Sequence, residues 1–136
     1  MKTIILDGSN IVRNMYDTKN GLNFAKEQKL ADSLIRAVAY LNEQDAWRVE
    51  IYFDGPKREI YRPGEMVEIF FSKYKKADDL IVNSAAELKD MSGQEVLIVT
   101  QDRQLSIRCQ SYGAQVISAR DFLSHCYDYI DEFAKA

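Results

Sequence analysis

Aspartates follow several of the most apolar stretches of this sequence. Asp7, Asp54 and Asp102 each lie within three residues of the end of such a stretch. The stretches are 4–6, 49–53 and 96–99. Apolar runs bounded by turn residues fit central parallel strands that are covered on both faces. Because parallel strands end at the same edge of a sheet, the three carboxylates are expected to converge at that edge.

Two further acids, Asp78 and Asp79, open a predicted helix that follows another strand, and Asn10 lies three residues after Asp7. An acid ahead of an apolar-periodic run is also an ordinary helix-start signal. Asp102 has the same local explanation as a helix N-cap. Each acid can therefore be explained locally, and the functional interpretation depends on several strand ends coinciding.

Carboxylates that converge repel one another unless a cation lies among them. Oxygen ligands favour Mg²⁺ or Mn²⁺, and the chain has no set of His or Cys residues suited to zinc. Metal ions at such an edge suit phosphoryl chemistry, because they activate water and neutralise charge on the phosphate. The predicted metal ligands are Asp7, Asp54, Asp78, Asp79 and Asp102.

The loops after the second and third predicted strands combine cations with tyrosines. They carry Lys57, Arg58, Tyr61, Arg62, Lys73, Tyr74, Lys75 and Lys76, and Arg103 directly follows Asp102. Proteins that bind single-stranded nucleic acid use cations for the backbone and aromatic rings for the bases. The alternative is that these charged loops are only solvated. The pattern predicts a nucleic-acid-binding surface on the same side as the acids.

Length and composition fit one globular domain over residues 1–136. The formal net charge of −3 means that an anionic partner must meet a local basic patch. Cys109 and Cys126 lack metal-ligand spacing and are expected to be buried thiols in a reducing cytoplasm. The start of the sequence resembles neither a signal peptide nor a membrane span, so a cytoplasmic protein is expected. His125 is expected on a helix surface.

The hydrophobic pattern predicts strands alternating with helices, and therefore an α/β fold with a mostly parallel sheet between helices. Residues 11–28 and 56–65 are predicted to be loops, and the first of them has room for one helical turn. Strands are predicted over 4–6, 49–53, 66–72, 95–100 and 115–117, and helices over 29–43, from Asp78 to Leu88, and over 104–112. A last helix is predicted to bury Phe122, Leu123, Cys126, Tyr127, Ile130 and Phe133 or Ala134.

Four motifs in order resemble the NYN domain of the PIN-like nuclease superfamily, and in particular its YacP-like branch of bacterial endoribonucleases. They are Asp7-Gly8-Ser9-Asn10, Phe53-Asp54-Gly55, Lys76-Ala77-Asp78-Asp79 and Thr100-Gln101-Asp102-Arg103. The resemblance implies a Rossmann-like PIN fold and metal-dependent RNA cleavage. It matches Asp7, Asp78 and Asp102 to the acids the family uses most consistently, with Asn10 and Asp54 supporting and Asp79 able to replace Asp78. Gln101 departs from relatives that have Ser or Thr directly before this acid.

The predicted function is a Mg²⁺- or Mn²⁺-dependent endoribonuclease that acts on single-stranded RNA. The resemblance also implies a link to translation, with mRNA as the substrate and the ribosome as a candidate partner. One alternative is a non-catalytic RNA-binding or receiver-like module, although Ser118 occupies the region where a receiver has its lysine. Another is a metal-dependent phosphatase of the haloacid dehalogenase type, which needs an acid where this chain has Ser9.

Overall fold

The fold is given by a computed structural model that describes residues 2–15, 23–45, 47–91 and 93–126. The strands are β1 (Lys2–Asp7), β2 (Arg48–Phe53), β3 (Val67–Phe71), β4 (Glu95–Val99) and β5 (Gln115–Ile117). The helices are α1 (Gly8–Asn14), α2 (Phe24–Asp45), α3 (Ala77–Asp90) and α4 (Arg103–Gln110), and residues 119–126 are also helical.

The five strands form one sheet in the order β3-β2-β1-β4-β5, and every neighbouring pair is parallel. The predicted α/β fold with a parallel sheet is therefore confirmed. The chain adds β2 and β3 on one side of β1, then crosses to the other side for β4 and β5. In open parallel sheets, a crevice at the carboxyl edge forms where the order reverses in this way. Here that place is the junction of β1 and β4.

Side chains along each strand alternate between two apolar layers. On β1, Leu6 packs in the layer covered by α1, α2 and the helical residues 119–126, whereas Ile5 packs in the layer covered by α3 and α4. Ile98 on β4 belongs to the same layer as Ile5. The period of two then directs Asp7, two residues after Ile5, and Thr100, two after Ile98, toward the face that α3 and α4 cover.

Part of the loop predicted over residues 11–28 is helical, so this prediction was wrong. Helix α1 runs from Gly8 to Asn14, and α2 begins at Phe24. Only two apolar side chains of α1, Ile11 and Val12, are fully buried, which is too few to produce a visible helical period. The first turn of α2 is largely exposed, so it has no apolar stripe either. Residues 16–22 lie outside the described residues.

Strands β2 and β3 are joined without a helix, which confirms the loop predicted over residues 56–65. The predicted alternation of strands and helices fails at this point. Residues 54–66 cross irregularly from the carboxyl edge to the start of β3 and pack on α2. Gln28 donates a side-chain hydrogen bond to the Glu59 carbonyl (2.6 Å), and Asp32 accepts one from the Tyr61 N–H (3.2 Å). Hydrogen bonds to helix α2 thus hold the loop.

Cys109 and Cys126 are buried free thiols, as predicted. Burial raises the pKa of both thiols, to about 11 for Cys109 and about 12 for Cys126. The predicted burial of Tyr127, Ile130 and Phe133 or Ala134 falls outside the described residues. Within the described part of the chain, no helix has both the length and the apolar character needed to cross a bilayer.

Candidate active site

The carboxyl ends of β1 and β4 are joined by the side chain of Thr100. Its hydroxyl donates to Asp7 Oδ2 at 2.8 Å and accepts from the backbone N–H of Asp102 at 3.0 Å. Asp7 and Thr100 are almost fully buried, with 3% and 2% exposure. The parallel register of β1 and β4 therefore brings Asp7 and Asp102, which are far apart in sequence, to one edge of the sheet.

Asn10 and Gln101 fix the adjoining turn. Asn10 Oδ1 accepts the backbone N–H of Gln101 at 2.7 Å, and the side-chain oxygen of Gln101 accepts the N–H of Arg120 at 3.3 Å. The residue that departs from the family pattern thus connects α1 to the start of the last helical segment. The backbone N–H of Asp102, which follows Gln101, is hydrogen-bonded to Thr100.

Asp102 is the N-cap of α4, and its Oδ1 accepts the backbone N–H of Leu105 at 3.1 Å. The local explanation for this acid is therefore confirmed. Capping uses one of the two carboxylate oxygens. The other oxygen is not used by this bond, so an N-cap role is compatible with metal binding by the same side chain.

Asp78 and Asp79 both lie in the first turn of α3, but their surroundings differ. Asp79 Oδ1 pairs with the Arg108 guanidinium at 2.9 Å on an exposed surface. Asp78 is half-buried, and its strongest charge interaction is with Asp102. The structure therefore places Asp78 among the other acids, with Asp79 in an ion pair.

Asp54 ties the end of β2 to two helices. Its N–H donates to Ser9 Oγ (2.9 Å), its Oδ1 accepts the N–H of Ala77 (3.1 Å), and its Oδ2 lies 3.4 Å from the Arg13 guanidinium. Both carboxylate oxygens have partners within the protein. These contacts give Asp54 a positioning role between α1 and α3. Its negative charge also raises the pKa of Asp7 and of Asp78.

Burial and mutual repulsion disfavour ionised acids at this edge. Burial is the main cause that raises the pKa of Asp7 to about 6, and the charges of Asp78 and Asp54 add to it. The hydrogen bond from Thr100 and the charge of Arg13 act in the opposite direction. The pKa of Asp78 is also raised, first by burial and then by Asp102 and Asp54. A cation would relieve this repulsion.

The donor set fits a magnesium-type ion only in part. In the described residues, no three His, Cys, Asp or Glu side chains converge closely enough to hold one metal ion. Mg²⁺ commonly uses one or two carboxylates and completes its shell with water and substrate phosphate oxygens. Asp7, Asp78 and Asp102 therefore fit an open site that substrate completes, and the arrangement does not form an all-protein cage.

Most of the predicted cations surround this edge. Lys73, Lys75 and Lys76 are exposed on the turn between β3 and α3, Lys57 is exposed after β2, and Arg103 is exposed at the start of α4. Arg103 lines a cavity of about 430 Å³ beside Thr100 and Ser118. Arg62 is exposed as well, and it lines a cavity of about 530 Å³ together with Lys57 and Arg58.

Arg58 differs from the other predicted RNA-binding cations because it is largely covered. Its side chain is 16% exposed. The guanidinium donates to Gln28 Oε1 at 3.1 Å and lies over the rings of Phe53 and Phe71 at 5.4 and 5.0 Å. These contacts anchor the β2–β3 loop to α2 and the sheet. Its predicted role in RNA binding stays a prediction.

Sequence reasoning missed two arginines that act on the acids. Arg13 pairs with Asp54 and lowers the pKa of Asp7, and Arg108 pairs with Asp79 and acts against the raised pKa of Asp78. Arg13 lies one helical turn after Ser9, whose carbonyl accepts a hydrogen bond from it at 3.1 Å. If α1 had been predicted as a helix, the four-residue spacing of Ser9 and Arg13 would have indicated that the two residues are neighbours.

Gly8 allows the site to be compact. A Cβ at this position would lie 2.7 Å from the Phe53 ring and 2.8 Å from the Tyr52 carbonyl. Its φ is not positive, so the requirement is for space and not for an unusual backbone conformation. The start of α1 can therefore approach β2 closely enough for Ser9 to reach Asp54.

An all-parallel sheet with acids at its switch point defines the protein as an α/β protein with a PIN-like fold. The model of the YacP-like NYN domain matches residues 4–135, so the chain belongs to this family of nucleases. The predicted family is thereby confirmed. No protein with a curated description matches the chain.

Two crystal structures of Rae1 (YacP) from Bacillus subtilis are similar to this fold. One matches with a TM-score of 0.76 and 23% identity and covers 99% of this chain and 79% of that chain. The other, a mutant form, matches with a TM-score of 0.75 and 23% identity and covers 97% and 79% of the two chains. At this identity, the likeness establishes the fold.

Proposed function

We propose that this protein is a Mg²⁺- or Mn²⁺-dependent endoribonuclease in which Asp7, Asp78 and Asp102 form the catalytic acid group. The observation that carries the proposal is the Thr100 bridge, which joins Asp7 to the backbone of Asp102 across the sheet's switch point. Membership of a nuclease family gives the reaction class. The crowded, partly buried carboxylates supply the reason for a divalent cation.

One or two of the acids Asp7, Asp78 and Asp102 would bind the ion directly through carboxylate oxygens, and the remaining acid would act through water bound to the ion. The bound ion would supply an activated water and neutralise charge on the scissile phosphate and leaving oxygen. Thr100 holds Asp7 Oδ2 as an acceptor, which leaves Oδ1 as the oxygen open to the site. Asn10 Oδ1 already accepts a hydrogen bond from the Gln101 N–H, so the amide nitrogen of Asn10 is the atom that can donate to a phosphate oxygen.

Single-stranded RNA is the proposed substrate because exposed cations flank the acids on two sides. Lys73, Lys75 and Lys76 lie on the α3 side and Arg103 lies at the start of α4. Since the whole chain is acidic, RNA attraction must come from this local surface and should weaken as salt rises. The cytoplasmic location, the mRNA substrate and the ribosome partner stay predictions.

The test is cleavage of end-labelled single-stranded RNA by the purified protein with Mg²⁺ or Mn²⁺, with EDTA, and without added metal. We expect cleavage only with a divalent ion and a loss of about 100-fold or more in Asp7→Asn and in Asp102→Asn. Asp90→Asn is the matched control, because Asp90 lies at the opposite end of α3. Cleavage that persists in EDTA, or in Asp7→Asn at the wild-type rate, would contradict the proposal.

A non-catalytic RNA-binding module is the second candidate. It is favoured by one observation, that no three metal-ligating side chains converge in the described part of the chain. Such a module would retain RNA in the same assay without turnover in Mg²⁺, Mn²⁺ or any other divalent ion. It would also bind RNA equally well before and after Asp7→Asn.

A further inference from the structure

Tyr74 projects fully into solvent from the turn between β3 and α3. Lys73 precedes it, and Lys75 and Lys76 follow it. All three lysines are exposed, and none has an ion-pair partner in the described part of the chain. A large exposed ring among unpaired cations therefore lies beside the acid group, since Asp78 is in the first turn of α3, two residues after Lys76.

The turn that carries Tyr74 is fixed by the backbone around it. Lys73 has a left-handed φ of 59°, and its N–H donates to the Gly55 carbonyl at 2.7 Å. The N–H of Lys75 donates to the Ser72 carbonyl at 3.0 Å, and Ser72 Oγ accepts the N–H of Gly55 at 3.1 Å. These bonds hold the backbone of the turn, and with it the Cα of Tyr74, between β2 and the start of α3.

The other tyrosine of the predicted surface is arranged differently. Tyr61 is partly buried, and the Arg36 guanidinium covers its ring at 3.8 Å from the ring centre. Its N–H is held by Asp32. The ring of Tyr61 is thus occupied by the protein, whereas the ring of Tyr74 is open to a ligand.

We propose that Tyr74 is a stacking platform for one base of single-stranded RNA, and that Lys73, Lys75 and Lys76 bind the phosphates on either side of that base. The RNA identity of the ligand rests on the proposed function. Stacking tolerates every base, because each has a flat aromatic face, while a duplex keeps its bases inside the helix. The platform thus selects unpaired strands and positions the backbone beside the catalytic acids.

The first experiment measures binding of a short fluorescent single-stranded RNA in EDTA, where the proposed nuclease cannot cleave it. We expect Tyr74→Ala and Tyr74→Leu to bind about tenfold more weakly, and Tyr74→Phe and Tyr74→Trp to bind as the wild type does. Tyr112→Ala is the matched control, because Tyr112 is another exposed tyrosine that follows the far end of α4. Unchanged thermal unfolding of the variants would verify that each is folded.

Salt dependence separates stacking from charge. Tyr74→Ala should lower the affinity without changing the slope of log K against log salt, whereas Lys75→Gln should reduce that slope. An RNA series with one abasic site moved along the strand adds a second readout. At one position in the strand, removal of the base should weaken RNA binding by the wild type. Removal of the same base should not weaken binding by Tyr74→Ala any further.

The outcomes of the two proposals are distinguishable. Aromatic-dependent binding without cleavage in Mg²⁺ or Mn²⁺ would support the platform and defeat the nuclease. Cleavage by the wild type together with full RNA affinity in Tyr74→Ala would overturn the platform alone. Loss of affinity in Tyr74→Phe equal to that in Tyr74→Ala would also overturn it, as would a failure of the wild type to bind RNA.

Discussion

The Thr100 hydroxyl donates a 2.8 Å hydrogen bond to Asp7 Oδ2 although the two residues are 93 positions apart in the chain. The same oxygen accepts the N–H of Asp102. A hydroxyl can donate one hydrogen and accept at the same time, so a single side chain satisfies a carboxylate and a backbone amide. The bridge makes the geometry of the acid group depend on the pairing of β1 with β4.

Replacement of Thr100 by Val should remove this bridge with little change of shape. Asp7 Oδ2 and the Asp102 N–H would then lose a partner in a buried site, which costs about 1–3 kcal/mol of unfolding free energy. Denaturant unfolding at neutral pH measures this loss. The rate of RNA cleavage should also fall, by more than the loss of folded protein accounts for. The reason is that both proposed metal ligands, Asp7 and Asp102, would lose their positions.

Thr100→Ser is the control for that experiment, because it keeps the hydroxyl and removes only the methyl group. It should retain most of the RNA cleavage of the wild type. If Thr100→Val cleaves RNA as fast as Thr100→Ser, the bridge does not position the acids.

Asp7→Asn should stabilise the metal-free protein at neutral pH. The folded-state pKa of Asp7 is raised from 3.8 to about 6, so the folded protein binds this proton more tightly than the unfolded chain does. The contribution of Asp7 to stability therefore falls as pH rises between those values and stays unfavourable above them. Removing the charge should raise the unfolding free energy by about 1–3 kcal/mol at pH 7.

Urea unfolding in EDTA at pH 4 and at pH 7 measures this effect, with Asp90→Asn as the control. The difference in unfolding free energy between Asp7→Asn and the wild type should be small at pH 4. At that pH Asp7 is mostly protonated in the folded wild type, so both folded proteins are mostly uncharged at this position. Equal differences at the two pH values would show that the charge of Asp7 is not the cause.

The meeting of Asp7 and Asp102 could be predicted because it depends only on strand direction. Apolar runs identify strands, parallel strands share an edge, and residues just past their ends meet there. Helix α1 could not be predicted from such a pattern, because two buried apolar residues, Ile11 and Val12, do not define a period. Its packing depends on Gly8, whose role is visible only beside Phe53.

The partners of individual charged side chains could not be predicted from the sequence either. Asp78 and Asp79 are adjacent and equivalent in any pattern, and only the position of Arg108 on α4 separates them. In the same way, Arg58 and Lys57 are neighbours in a basic loop, yet Arg58 is packed over aromatic rings and Lys57 is exposed. Such distinctions arise from tertiary contacts between elements that are distant in sequence.

Mg²⁺ or Mn²⁺ should raise the midpoint of thermal unfolding of the wild type at pH 7 and should do so much less at pH 5. An ion that binds only the folded state at ten times its Kd adds about 1.4 kcal/mol. Protons compete for Asp7, whose pKa is about 6, so binding should weaken below that value. A melting series with increasing ion concentration checks this.

Asp7→Asn is the comparison variant for the metal series and should show little response to either ion. K⁺ at matched ionic strength separates site binding from general screening. An equal rise in melting temperature for Asp7→Asn and the wild type would place the ion elsewhere on the protein.

Asp78→Asn should reduce RNA cleavage far more than Asp79→Asn does, although the two residues are neighbours. Asp78 interacts with Asp102 and Asp54, so its replacement should reduce cleavage by about 100-fold and weaken the stabilisation by Mg²⁺. Asp79 is exposed and pairs with Arg108. Its replacement should cost at most about 1 kcal/mol of stability, because exposed ion pairs contribute little, and should leave most of the cleavage intact.

Arg108→Gln tests the same assignment by removing the other partner of the ion pair, and it should change the stability by about as much as Asp79→Asn does. If Asp79→Asn abolishes cleavage while Asp78→Asn retains it, the acid assigned to the site is the wrong one of the pair.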